Sequence, residues 1–357
     1  MTAPGRKKVR RALAAAGPWA LGLAGAVLAA CLGWTLSTPP EPLPEPVADR
    51  LDLSAAPEVP PEPDEEPFGG LLEVSENSGA AELVATCERI AAKLGSVDLE
   101  DCTESDLRLS GGRSVRGTPI LVAEYPPVEE REPLGRVLLF GGIHGDEFSS
   151  VSIVYTWLDM LERHHSGLFH WRVVPLLNPD GLLRLESQRM NEHGVDLNRN
   201  FPSPNWEVEA TDYWVRRTSR NPRRYPGEAP LSEPESRWLY DQIATFRPDA
   251  IVAVHAPIHL VDYDGPPEAP ERLGPLHLRR LGTYPGSLGR YAGVHLGLPV
   301  VTIELPSAGI MPGRDDQRRM WLDLVAWLRE NLPRQEPLRT ARFDDGTATT
   351  PAGMDRE

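Results

Sequence analysis

The chain has few thiols and too few basic residues to balance its acids. Its 357 residues include three cysteines, Cys31, Cys87 and Cys102, none in a CxxC spacing. That excludes a thiolate zinc site of the zinc-finger kind. Lys and Arg total 37 against 52 Asp and Glu, for a formal net charge of −15. Five of the basic residues (Arg6, Lys7, Lys8, Arg10 and Arg11) fall within residues 1–30, which hold no acid, so the remainder carries −20. Such a surface excludes nucleic acid as a partner, because phosphate binding requires a basic face. It also argues against a peripheral hold on anionic lipid. No internal repeat is present, which excludes a solenoid or propeller. Apolar content of 40% is ordinary for a soluble protein and is enough for a sizeable core.

The N-terminal region does not read as globular. After the basic cluster RKKVRR, residues Ala12 to Leu36 carry no charge and are rich in Ala, Leu, Gly and Val. This length can span a bilayer as a helix. Basic residues stay on the cytoplasmic side, so the chain beyond Leu36 is expected outside the cytoplasm. Three readings remain open, in this order of preference. Residues 1–37 form a basic stretch and membrane anchor, or a lipoprotein signal in which Leu28-Ala29-Ala30-Cys31 is the lipobox, or a cleaved signal peptide. Residues 38–67 hold ten prolines among many acids and read as a disordered linker. At about 3.1 Å per residue it reaches on the order of 90 Å. Residues 68–106 read as a small helical segment, with helical spacing over 79–94. Cys87 and Cys102 there form a disulfide if they face an oxidising compartment, and otherwise are two buried thiols. Residues 334–357 read as a disordered tail.

Between them, residues 107–333 alternate short apolar runs with helical patterns. The runs are VLLF at 137–140, VVPLL at 173–177, AIVAV at 250–254 and VVTIE at 300–304, and the helices are expected over 149–164, 232–246 and 316–331. Ser232-Glu233-Pro234-Glu235 reads as a capping box for the second of these helices. The alternation predicts an α/β fold, a sheet covered by helices on both faces. Ligands in such sheets bind at the carboxyl ends of strands. His144, Asn178, His255 and Glu304 all fall at or just beyond a strand end, so residues distant in sequence can converge.

Four motifs carry the chemistry: GGIHGDE at 141–147, NPDG at 178–181, GVDLNRNFP at 194–202 and VTIELP at 301–306. His144 and Glu147 lie in a Gly-rich turn and offer two metal ligands; His255, at the end of AIVAVH, offers a third. Zinc accepts this donor set and keeps one position for water when catalytic. Taken singly, each histidine reads equally as a capping or core residue; the ordered set favours a metal. The other histidines read as surface residues, with His259 nearest to the site in sequence. Asp196 can hold the far nitrogen of a metal histidine, or cap a turn. Glu304 ends an apolar strand, a costly place for a charge that does no work. It can take a proton from the attacking water and pass it to the leaving amine. Arg199 can grip a carboxylate through paired hydrogen bonds, with Asn198 adding a donor. Arg189 can stabilise an oxyanion, with Arg184 competing for that part. NPDG by itself is a turn signal, and Arg224-Tyr225-Pro226-Gly227 reads as a structural loop.

With these residues in place, the chain resembles the zinc carboxypeptidases of the carboxypeptidase A superfamily, and among them the murein peptide amidases. The stretches that carry the likeness are GGRSVRGTPI at 111–120, GGIHGDE, VVPLLNPDG, RMNEHGVDLNRNFP, LSEPESR, VHAP at 254–257 and LPVVTIELP, spanning Leu107 to Leu332. The resemblance implies a mixed, mostly parallel sheet flanked by helices. It implies one zinc ion per chain on His144, Glu147 and His255, Glu304 as general base and acid, Arg189 at the oxyanion, and Asn198 with Arg199 on the substrate's terminal carboxylate. The implied activity is hydrolysis of the γ-D-glutamyl–meso-diaminopimelate bond of cell-wall peptides, here in the bacterial envelope because the body is exported. Tyr284 and Tyr291 are the candidates for the pocket tyrosine of digestive carboxypeptidases. Arg290, in GSLGRYAG at 286–293, is a candidate for the second carboxylate of diaminopimelate. Asp262 and Asp264 either meet its ammonium or cap a loop. A general carboxypeptidase, an N-acyl amino acid deacylase and a wall-peptide-binding pseudoenzyme are the competing readings, and the oligomeric state is left open.

Overall fold

The computed structural model describes residues 71–128 and 132–332. The expected membrane or signal segment with Cys31, the proline-rich linker and the C-terminal tail lie outside the described residues. Among the described residues, no helix is long and apolar enough to cross a membrane.

In chain order the elements are α1 (Leu71–Lys93), α2 (Leu99–Thr103), β1 (Arg108–Arg113), β2 (Pro119–Tyr125), β3 (Arg136–Phe140), α3 (Phe148–His164), β4 (His170–Val174) and α4 (Pro179–Leu183). Then follow α5 (Trp206–Arg217), α6 (Pro234–Phe246), β5 (Ala250–His255), β6 (Leu260–Asp264), the short hairpin β7 (Arg272–Leu273) and β8 (Leu276–His277), β9 (Val300–Glu304) and α7 (Arg314–Asn331). Seven strands form one sheet in the order β1-β2-β4-β3-β5-β9-β6. The central pairs β4/β3, β3/β5 and β5/β9 are parallel, and antiparallel strands close both sides. The sheet is therefore mixed and mostly parallel at its centre, as expected.

Strand periodicity sorts the apolar residues into two cores. Val137, Leu139, Val252, Val254, Val301 and Ile303 face α3, α7 and the disulfide-bearing segment. Their alternates Leu138, Phe140, Ile251, Ala253 and Val300 face α6 and the irregular stretch around Tyr291. All six residues of β5 are buried, which is what a strand covered on both faces requires. The same alternation fixes the site. His255 follows Ile251 and Ala253 onto the α6 face, and Glu304 follows Val300 onto it.

The N-terminal helices belong to this body. Cys87, Ile90, Leu94 and Cys102 are buried in the first core, and Cys87 and Cys102 are joined by a disulfide. Lys93 donates from Nζ to the carbonyls of Arg184 and Leu185, so this segment also steadies the loop that leads to Arg189.

Two local expectations fail. The strand anticipated over 173–177 ends at Val174, because Pro175 has no N–H for the ladder and turns the chain towards Asn178. The capping box at Ser232 does not form. Instead the Glu233 N–H and the Ser236 hydroxyl both donate to Oδ1 of Asn200, so a side chain from GVDLNRNFP caps α6. That bond ties the helix to the motif that carries the site.

Candidate metal centre

Strand β3 runs into Gly141-Gly142. Gly142 has φ of +63°, and a Cβ on Gly141 would lie 2.3 Å from the Ser150 carbonyl oxygen. Only a chain without side chains here can pass this close to the start of α3. The turn delivers His144 and Glu147, and β5 delivers His255 from the neighbouring strand. Nδ1 of His144 lies 2.8 Å from Oε1 of Glu147 and 3.2 Å from Nδ1 of His255; that nitrogen of His255 lies 3.2 Å from Oε2 of Glu147. All three side chains are buried, and their donor atoms fall within 4.8 Å of one another. Two imidazole nitrogens facing each other across a carboxylate is a donor set that suits zinc. Burial pushes the Glu147 carboxyl up, but His144 and His255 outweigh it and hold the group well below the usual range. The carboxylate is thus charged and ready to bind a cation.

Behind the ligands, Nε2 of His144 meets Oδ1 of Asp196 at 3.1 Å, and Oδ2 of Asp196 accepts from Nε of Arg189 at 3.0 Å. Burial opposes the charge on Asp196, yet Arg189 and His144 keep its carboxyl far below its ordinary value. Asn178 adds a second brace that sequence reading took for a turn signal. Its Nδ2 donates to the carbonyls of Ile143 and Arg189, while its Oδ1 accepts from Gly181. The NPDG motif therefore fixes the histidine turn and the Arg189 segment to each other.

A cavity of about 560 Å³ opens over these groups. His144, Glu147, His255, Glu304, Arg189, Asn198, Arg199 and Tyr284 all line it, and Asp196 supports it from beneath. Glu304 pairs with His255 across β9 and β5, and its Oε2 is buried without a hydrogen-bond partner. Burial, with the charge of Glu147 added, raises the Glu304 carboxyl, and His255 and His144 offset part of this. Arg199 is buried, its guanidinium stacks over the Tyr284 ring at 4.6 Å, and its Nε has no partner. Burial lowers it to about 10, against the pull of Asp196. Asn198 accepts from the Leu288 N–H through its Oδ1, which leaves its amide NH2 for the cavity. A buried carboxylate oxygen without a donor and a buried guanidinium nitrogen without an acceptor, in one cavity, are the marks of a site built for a ligand.

Some expected residues lie elsewhere. Arg290 does not reach the cavity: its guanidinium pairs with Glu209 at 2.6 Å and turns towards the Pro204 carbonyl. In that turn Gly289 faces the cavity, against the Asp264 carboxylate, so its neighbour points away. Tyr291 is a core residue stacked on Phe201, so Tyr284 is the tyrosine at the cavity. Arg184 sits on the exposed side near Glu192. His259 is exposed and outside the cavity.

The structure places residues whose part the sequence left open. Asp262 and Asp264 are two apart on β6, and Asp262 is the cross-strand partner of Thr302, as Leu260 is of Glu304. The register puts both aspartates on the sheet face that carries Glu304. Asp262 accepts from the N–H groups of Leu281 and Tyr263. Arg223 and Arg224 also reach the cavity, the former paired with Asp146 at 2.7 Å.

The zinc carboxypeptidase family matches residues 104–265, a span that holds all three ligand candidates and both arginines of the expected site. The chain is 34% identical over 206 residues to murein peptide amidase A of Escherichia coli (strain K12), covering 55% of this chain and 79% of that protein. It is 33% identical over 204 residues to murein peptide amidase A of Vibrio campbellii, covering 55% and 78%. In fold it is similar to the crystal structure of the carboxypeptidase A from Helicoverpa armigera, with a TM-score of 0.51 at 15% identity over 74% of this chain and 82% of that one. The chain belongs to the zinc carboxypeptidase family and is a hydrolase.

Proposed function

We propose that the protein hydrolyses the amide bond between the γ-carboxyl of D-glutamate and meso-diaminopimelate in murein peptides, in the bacterial envelope. The carrying observation is that the histidine–glutamate cluster, the free Oε2 of Glu304 and the free Nε of Arg199 share one cavity. Identity to two murein peptide amidases supports the choice of substrate. The cavity's charges agree with it. Arg199, Asn198 and Tyr284 suit a terminal carboxylate, and Asp262 with Asp264 suit the leaving residue's side-chain ammonium. The envelope assignment rests on residues 1–37 alone, whether they anchor, lipidate or export the chain.

His144, Glu147 and His255 would hold the zinc ion, which when bound polarises a carbonyl and makes water a stronger acid. Glu304, kept without a hydrogen-bond donor on Oε2, takes a proton from the attacking water and delivers it to the leaving amine. Its raised proton affinity suits it for both transfers. Arg189, pinned by Asp196 and 3.5 Å from Glu147, faces the oxyanion of the tetrahedral intermediate. Arg199 and Asn198 orient the leaving residue by its carboxylate, which fixes the bond that reaches Glu304.

The test is to incubate the zinc-loaded chain with L-Ala-γ-D-Glu-meso-diaminopimelate and follow free diaminopimelate by mass spectrometry. Release by the parent, with a loss of about 10²–10⁴-fold in Glu304→Gln, is the expected result. Cleavage of ordinary peptides alone would make the protein a general carboxypeptidase. Binding without cleavage of either would make it a wall-peptide-binding protein.

A further inference from the structure

The cavity holds one guanidinium more than the reaction needs. Arg189 has Asp196 at 3.0 Å, Arg223 has Asp146 at 2.7 Å, and Arg199 lies on Tyr284 with the Asn198 carbonyl as an acceptor. Arg224 has no such match. Its nearest carboxylate oxygen is Oδ2 of Asp196 at 3.9 Å, which already takes the Arg189 N–H. The other oxygen of Asp196 is occupied by His144 and the Asn198 N–H. Among the described residues, the Arg224 guanidinium makes no hydrogen bond, although its side chain is more than half covered. Burial, and then the charge of Arg189, lower its proton affinity, so this corner is over-supplied with positive charge.

Arg224 is also held in place. Asn221 accepts from the Arg223 N–H and so caps the turn Pro222–Arg224, and the next carbonyl, that of Tyr225, accepts from the Asp196 N–H at 2.8 Å. The Tyr225 ring packs on Trp214 at 4.9 Å. The loop is thus bonded to the residue that steadies His144 and Arg189, and its guanidinium stands beside the oxyanion arginine.

The substrate class proposed above also has one carboxylate more than an ordinary peptide. In a γ-linked glutamyl residue the α-carboxylate is free, three carbons from the scissile carbonyl on the acyl side. A peptide whose acyl residue has a neutral side chain, or in which this carboxylate is amidated, has no charge near that position. We propose that Arg224 binds this acyl-side carboxylate and so selects substrates whose acyl residue carries the free carboxylate over those in which it is neutral. The inference rests on the proposed function and adds a specificity-determining residue to it.

Two peptides separate the possibilities: L-Ala-γ-D-Glu-meso-diaminopimelate and the same tripeptide with the glutamyl α-carboxylate amidated. For the zinc-loaded full chain, kcat/KM is expected to favour the free carboxylate roughly 10- to 100-fold, the effect of one charge-assisted hydrogen bond pair. Arg224→Gln should remove most of this preference, mainly through KM, with a loss on the amidated peptide at least tenfold smaller. Arg224→Lys should restore part of it. Calorimetric binding of both peptides to the Glu304→Gln chain, with and without Arg224→Gln, gives a second readout that needs no turnover. Equal losses on both peptides in a folded Arg224→Gln protein, or no preference in the parent, would overturn the inference. If the parent cleaves neither peptide, the functional reading fails separately, and the binding comparison still decides Arg224: equal affinities overturn it and unequal ones uphold it.

Discussion

Asp196 sits 3.1 Å from Nε2 of His144, and its carboxylate is wholly buried. An ionised carboxylate there is an acceptor only, so the proton of the imidazole is held on Nε2 and the lone pair on Nδ1. That nitrogen is the one turned towards Glu147 and His255. The tautomer needed for metal binding is therefore set before any metal arrives.

Asp196→Asn keeps the shape but removes this bias, since the amide can present its NH2 to His144 and favour the wrong tautomer. Zinc affinity is expected to fall roughly 10- to 100-fold, the usual effect of losing such a partner. Competition against a chromophoric chelator measures it directly. An unchanged affinity would mean that Asp196 serves Arg189 alone.

How much of this could be read beforehand follows from what a linear sequence encodes. Runs such as AIVAVH and VVTIE announce buried parallel strands, and residues at their ends were legible as a site because strand ends converge. Asp262 and Asp264 were seen but not placed, since their direction depends on the register of β6 against β9. One residue of slip would turn both into the opposite core. Arg290 was misplaced for a related reason: on the wide helical stretch Gly289–His295 neighbouring residues point in different directions, and Gly289 took the inward position. Arg224 and Asn178 looked like turn residues, because what they face lies in segments remote in sequence: Asp196 and Arg189 for the first, the Ile143 and Arg189 carbonyls for the second. The capping of α6 by Asn200 was hidden for the same cause.

The Cys87–Cys102 bridge closes a loop of sequence separation 15 between α1 and α2. Chain entropy assigns such a loop about 3 kcal/mol. The doubly substituted Cys87→Ala, Cys102→Ala protein is expected to unfold at lower denaturant by about that amount. Because Lys93 on α1 braces the Arg184–Leu185 carbonyls, activity should fall before global unfolding as denaturant is raised. Parallel activity and fluorescence titrations, with and without reductant for the parent, would reveal coincident curves if the brace has no role.

Glu235 is fully buried, with Val115 N–H on one oxygen and Asn191 Nδ2 on the other. Burial, with the charge of Asp180 added, raises its carboxyl to about 7, from a reference of 4.5. Glu233 shares the same Asn191 amide and takes His193 as well. Because the folded state holds this proton more tightly than the unfolded chain, the group's contribution is complete below about pH 4.5. It is lost as pH rises towards 7. Relative to the parent, Glu235→Gln should therefore gain stability between pH 5 and pH 8, by up to roughly 3 kcal/mol. Urea midpoints at four pH values test the slope of the difference, whatever constant offset the substitution adds. A flat difference would mean that Glu235 is ionised throughout.

Asp264 carries the last prediction. Burial and the neighbouring Asp262 raise its carboxyl to about 6, with Arg280 opposing. Gly289 and Gly293 leave the space beside it that any side chain would fill, since a Cβ at either would lie within 2.4 Å of Asp264. If this carboxylate receives the leaving residue's side-chain ammonium, it must be ionised to do so. KM for a diaminopimelate-terminated peptide should then be lowest above pH 6 and rise as pH falls through that value, while a peptide ending in 2-aminopimelate, which lacks the second amine, shows no such rise. Asp264→Asn should raise KM roughly tenfold or more for the diamino substrate only, the effect of losing one charge-assisted hydrogen bond. It should also flatten the pH dependence. A matching rise in KM for both peptides would instead make Asp264 a support for the β6 edge, because a structural defect does not distinguish between leaving groups that differ by one amine.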